Sequence, residues 1–134
     1  MHFLGIDYGT KRVGVAIAHE PSNIATPLTV LWIAHETPET IAHKIAELAR
    51  KHTINTIVIG ESKDFQGVDN PVMKKARMCA EFLAKELTDT ARIVFEPEFL
   101  TTQQAQRIQG DHSLIDASAA ALILQSYLDR LRTV

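Results

Sequence analysis

Three apolar runs follow one another before any helical pattern begins. "FLGID" covers 3–7, "RVGVAIAH" covers 12–19 and "LTVLWIA" covers 28–34. The second run alternates Val13, Val15 and Ile17 with small residues, the two-residue period of a strand. The "YGTK" between the first two runs fits a hairpin turn. Sequential strands joined by short turns pair antiparallel, whereas strands separated by helices pair parallel. The chain therefore opens as an antiparallel set.

The period changes at Thr37. "TPETIAHKIAELARKH" offers a cap residue, Pro38 at the first helical position, and Ile41, Ile45 and Leu48 on one face. "TINTIVIG" (53–60) reads as a fourth strand, and residues 71–88 read as a helix with Met73, Ala76, Ala80, Leu83 and Leu87 in a stripe. "ARIVF" (91–95) is a fifth strand, "TTQQAQRIQG" a short helix stopped by glycine, and 113–132 a last helix. The order βββαβαβαα predicts an α/β fold: a mixed five-stranded sheet, its first three strands antiparallel, with helices on both faces. No repeat, low-complexity tract or linker divides residues 1–134, so a single domain is expected.

Composition bounds the chemistry. With 14 basic and 16 acidic residues the net charge is −2, which argues mildly against a general nucleic-acid binder but permits a local basic patch. The single cysteine, Cys79, excludes an internal disulfide and fits a reducing cytosol. No leader-like segment or membrane-length apolar run is present, so a cytoplasmic protein is expected. The six histidines are scattered, leaving no His/Cys metal-ligand spacing.

Carboxylates remain as the candidates. Asp7 stands at the C-terminal end of the first strand, where α/β sheets place ligand sites; the plain reading is a turn-forming Asp bonded to local amides. Glu96 and Glu98 flank Pro97 beyond the fifth strand and share a face if the strand continues, yet both also read as solvated loop acids. Asp116 lies near the start of the last helix, where Ser113 and Asp116 have the spacing of a capping box. Convergence of such acids from a strand end, a loop and a helix would suit two Mg²⁺ ions and phosphodiester cleavage.

"LGIDYGTKRVGVAIA" resembles the opening motif of the YqgF/RuvX family, bacterial proteins of the ribonuclease H-like fold. "IVIG" (57–60), "EFLTTQQA" (98–105) and "IDASAAALILQSYL" (115–128) resemble further blocks in the same order. The resemblance implies a ribonuclease H-like sheet and a Mg²⁺- or Mn²⁺-dependent nuclease with about two ions. It implies processing of precursor 16S ribosomal RNA, with Holliday-junction resolution as the alternative. Matched motif by motif, Asp7, Glu98 and Asp116 are the implied catalytic and metal-holding acids. Two departures stand out. Phe99 occupies the place where the family commonly has Arg, and Glu61 and Ser62 replace a common Leu-Pro after Gly60. Glu61 is thereby a candidate fourth ligand.

Lys11, Arg12 and Lys63 adjoin the implied site and are the candidate phosphate contacts; Lys74, Arg77 and Arg107 are farther along the chain, and Lys75 and Lys85 read as solvated helix positions. Two other readings remain open. "DYGT" also resembles the phosphate loop of actin-like and sugar-kinase ATPases, though those close two domains around a nucleotide. A non-catalytic module assisting ribosome assembly is the other. "LILQSYL" serves core packing or a weak homodimer, so a monomer or weak homodimer is expected, with nucleic acid as partner and no membrane.

Overall fold

A computed structural model describes residues 1–62, 70–97 and 112–132; for 112–116 the description covers the backbone alone. The strands are β1 (His2–Tyr8), β2 (Arg12–His19), β3 (Thr26–Trp32), β4 (Thr56–Glu61) and β5 (Arg92–Pro97). The helices are α1 (Pro38–Lys51), α2 (Pro71–Glu86) and α3 (His112–Arg132). The expected mixed sheet is present in the order β3-β2-β1-β4-β5. β1–β2 and β2–β3 are antiparallel, and β1–β4 and β4–β5 are parallel. The short helix expected at 101–110 lies outside the described residues.

Strand alternation sorts the side chains into two cores. Leu4, Ile6, Val13, Val15, Ile57 and Ile59 pack with Ile41, Ile45, Leu83 and Leu87 under α1 and α2. Phe3, Ala16, Ala18 and Val58 pack with Ala120, Leu124, Tyr127 and Leu128 of α3. Large branched residues of β2 thus face the helix pair, and its small residues face α3, which lets that single helix lie close to the sheet. The first two helices start as their sequences require. Thr37 Oγ1 accepts from the Thr40 amide at 3.2 Å, Asn70 Oδ1 accepts from the Met73 amide at 2.8 Å, and a proline follows each cap.

Most boundaries shift by one to three residues, the fourth strand starting at Thr56 rather than at 53, and two shifts change how a residue is read. The third strand spans 26–32 rather than 28–34, because β3 is a sheet edge where Pro27 needs no partner for a missing N–H, and a register shift at Val15/Ala16 accommodates it. The last helix begins at His112, which moves Ser113 from the cap into the first turn and Asp116 into the second. The capping-box explanation of Asp116 is withdrawn with it.

Burial pushes the Cys79 thiol from 9.0 up to about 12, and burial with the neighbouring Cys79 pushes Tyr8 from 10.0 up to about 12. Both folded values exceed the unfolded ones, so the native state holds protons that the unfolded chain releases. The stability these two groups contribute is therefore complete below pH 9 and falls as pH rises between 9 and 12. Urea midpoints measured across that range should decline, and Cys79→Ala should make the decline shallower.

Candidate active site

β1, β4 and β5 run parallel, so their C-terminal ends share one edge of the sheet. Asp7, half-buried, stands at that edge opposite Gly14 of β2. It has the same parity as Phe3 and Gly5, which face α3. A Cβ added to Gly5 would come 2.7 Å from Leu124 Cβ and 2.9 Å from the Ala120 carbonyl oxygen, so α3 lies directly on the strand backbone. Phe3 meets Tyr127 with ring centroids 6.4 Å apart. Moving from Phe3 to Gly5 therefore moves N-terminally along α3. One more step of two strand residues advances about 6.6 Å, and four helical residues about 6 Å. That step leads from Gly5 toward Asp7 and from Ala120 toward the N-terminal turns of α3, so the half of α3 that carries Asp116 runs toward the strand end that carries Asp7.

The other acids near this edge have different work. Glu96, expected as a solvated loop acid, is almost fully buried on the α3 face. It accepts from Ser126 Oγ at 2.9 Å and is paired with Arg130, which ties β5 to α3. Removing the cation would leave a buried carboxylate with one hydroxyl donor. Arg130→Ala should lower stability by about 1–3 kcal/mol in a urea titration, with the activity per folded molecule retained. Glu61 has the parity of Ile57 and Ile59, which face α1 and α2. Its carboxylate accepts from Arg77 of α2 at 2.8 Å, and the same guanidinium lies 4.9 Å over the Phe95 ring. The suggestion that Glu61 is a fourth metal ligand is therefore corrected: it points to the opposite face from Asp7 and binds a cation already.

The turn after Asp7 is tight. The Gly9 amide donates to the Arg12 carbonyl at 2.9 Å, and a Cβ at Gly9 would lie 2.6 Å from that oxygen. Lys11 is exposed at its tip, and its carbonyl accepts from the Ile33 amide at 3.0 Å. Arg12 has the parity of Gly14 and so faces the same side as Asp7. Its guanidinium carbon lies 5.3 Å from the Trp32 ring centroid. Both candidate phosphate contacts of this turn thus adjoin Asp7. Lys75 and Lys85 are exposed on α2, as expected. Lys63, Glu98, Phe99 and Arg107 lie outside the described residues, as does the side chain of Asp116.

Sequence reasoning missed Trp32, which the apolar run 28–34 presented as interior; it is 61% exposed. Asp7 supplies hard oxygen donors suited to Mg²⁺ or Mn²⁺. Among the described residues no three His, Cys, Asp or Glu side chains form a metal-sized group. Among the described residues, too, no helix is long and apolar enough to cross a membrane.

Comparison with known proteins gives a consistent answer. A family model described as "RuvX: Holliday junction resolvase" matches residues 1–130. A protein of Anaeromyxobacter sp. (strain Fw109-5) named "Putative pre-16S rRNA nuclease" is 34% identical, covering 96% of this chain and 97% of the relative. One of the same name from Bacillus cereus (strain AH187) is 36% identical over 97% of this chain and 99% of its own. Among solved structures, T. thermophilus RuvC in complex with a Holliday junction substrate superimposes with a TM-score of 0.67 at 13% identity, covering 99% of this chain and 96% of that one. That likeness gives the fold, the ribonuclease H-like sheet expected from the motifs. With its model matched along nearly the whole chain and full-length relatives above 30% identity, this protein belongs to the RuvX family.

Proposed function

We propose that this chain is a divalent-metal-dependent nuclease that hydrolyses phosphodiester bonds in structured nucleic acid, acting on precursor 16S ribosomal RNA in the cytoplasm. The observation that supports the reading most is the seat of α3 on Gly5, with the N-terminal half of that helix running toward the C-terminal edge of the parallel strands where Asp7 stands. The names of the full-length relatives support the substrate.

In this reading Asp7, Glu98 and Asp116 hold Mg²⁺ or Mn²⁺. Bound there, such ions would supply Lewis acidity toward a water and toward the leaving oxygen of the phosphodiester. Asp7 presents its oxygens from a strand braced by β2 and β4, so their position does not depend on loop order. Glu96 and Glu61 are each paired with an arginine carried by a helix. Lys11 and Arg12 place the phosphate backbone over the site, with Lys63 from the following loop. Each phosphate contact releases counterions, so Lys11→Ala should reduce the slope of log affinity against log salt by about 1 for every sequence tested. Filter binding between low and moderate salt checks it, and an unaltered slope removes Lys11 from the contact set.

Resolution of a Holliday junction is the second reading, favoured by the description of the matching family model. End-labelled precursor ribosomal RNA and a four-way DNA junction, each incubated with Mg²⁺ or Mn²⁺, separate the two. Cutting of the RNA alone supports the first reading, and symmetric cutting of the junction supports the second. Binding of either substrate without cutting by folded, metal-supplied protein identifies an assembly module instead.

A further inference from the structure

We propose that Trp32, with Arg12 beneath it, is a stacking platform for an unpaired nucleobase next to the bond being cut. The inference rests on the nucleic-acid reading above and adds a binding site to it. Trp32 lies on an edge strand and is 61% exposed. It is not an isolated surface residue. Arg12 lies 5.3 Å from the ring centroid and pairs in register with Trp32 across β2 and β3. The Ile33 amide donates to the Lys11 carbonyl at 3.0 Å, which locks the end of β3 to the turn that follows Asp7. The indole is thus held at a fixed place relative to the candidate acid, on the same face of the sheet.

The lateral distance suits a nucleotide. β3 is two strands from β1, a separation of about 10 Å, and Trp32 stands near the strand end that carries Asp7. One or two nucleotides span such a gap. The chemistry suits a base as well. An indole face accepts any base by stacking, while Arg12 and the exposed Lys11 supply positive charge for the adjoining phosphates. A partner protein would find a single ring and two cations here, whereas a nucleic-acid strand uses both. Stacking tolerates every sequence but requires an unstacked base, so the platform selects strand junctions, bulges or loops over continuous duplex.

Because Trp32 is the only tryptophan of the 134 residues, its fluorescence reports the platform directly. The full chain, without added divalent ion, is titrated with a fluorescein-labelled single-stranded oligoribonucleotide and with a blunt RNA duplex. Anisotropy measures binding, and indole emission measures stacking. The expected result is quenching by the single strand, weaker quenching by the duplex, and a loss of single-strand affinity of about 5- to 150-fold in Trp32→Ala, with Trp32→Phe between the two. Binding by anisotropy with unquenched indole and unchanged affinity in Trp32→Ala overturns the platform and leaves the nucleic-acid reading standing. An emission shift that follows protein concentration without RNA assigns the ring to a second copy of the chain and also overturns it. Absence of any binding to RNA or to a four-way DNA junction overturns the nucleic-acid reading itself, and the platform with it.

Discussion

Asp7→Asn is expected to lower metal-dependent cleavage by roughly 10²-fold or more, the scale of removing one group that stabilises transition-state charge. The substitution keeps the shape of the side chain and exchanges an anionic oxygen for an amide, so packing against Gly14 is preserved. Asp7 is half-buried at a strand end rather than in either core, and the urea midpoint should move little. The discriminating measurement is cleavage against Mg²⁺ or Mn²⁺ concentration, together with the binding curve for the same substrate. A catalytic Asp7 gives lost cutting with binding retained, and binding is expected to strengthen slightly as a negative charge leaves the phosphate path. Full cutting by the well-folded variant would exclude Asp7 as a metal-holding acid. Lost cutting together with lost folding would mean that its bonds serve the turn, the plain reading of a glycine-flanked Asp.

How legible the molecule was depends on which physical signal each part carries. The sheet was readable because the alternation of Val13, Val15 and Ile17 with Gly14, Ala16 and Ala18 records both the strand period and the unequal helix layers on its two faces. The starts of α1 and α2 were readable because each cap and proline acts within four residues. β3 was placed two residues late because edge position, a tertiary property, decides whether Pro27 can join a strand. The same limit governed the acids. Glu96 resembles the candidate acids by type, and what sets it apart is its pairing with Arg130 on α3, far along the chain; Glu61 likewise pairs with Arg77 on α2. Strand parity could have separated Glu61 from Asp7, since Ile57, Ile59 and Glu61 form one alternating set. Trp32 could not be told from a core residue, because an apolar run looks the same whichever of its faces is covered.

Gly5→Ala tests whether the proposed site is built by the packing of α3 rather than merely located near it. The added methyl would meet Leu124 Cβ at 2.7 Å and the Ala120 carbonyl oxygen at 2.9 Å, and neither atom can swing away as a flexible side-chain tip would. The helix must move outward or tilt, at an overpacking cost of about 1–3 kcal/mol. For a chain of this length that corresponds to a fall in Tm of roughly 3–15 °C. The functional consequence should exceed the stability loss. α3 carries Asp116, and a displacement of about 1 Å in a reacting group can reduce rate by 10²-fold. Leu83→Ala supplies the comparison, since Leu83 is fully buried in the other core beneath α2 and its truncation costs about 2–5 kcal/mol without touching α3. Assayed at a temperature where both variants remain folded, Gly5→Ala should lose cleavage by about 10-fold or more while Leu83→Ala stays near wild type. Equal activity in the two would separate catalysis from the seat of α3 on β1, and with it the proposed placement of Asp116 beside Asp7. A selective loss would mean that the absent side chain at Gly5, a position with no chemistry of its own, sets the distance between two of the proposed acids.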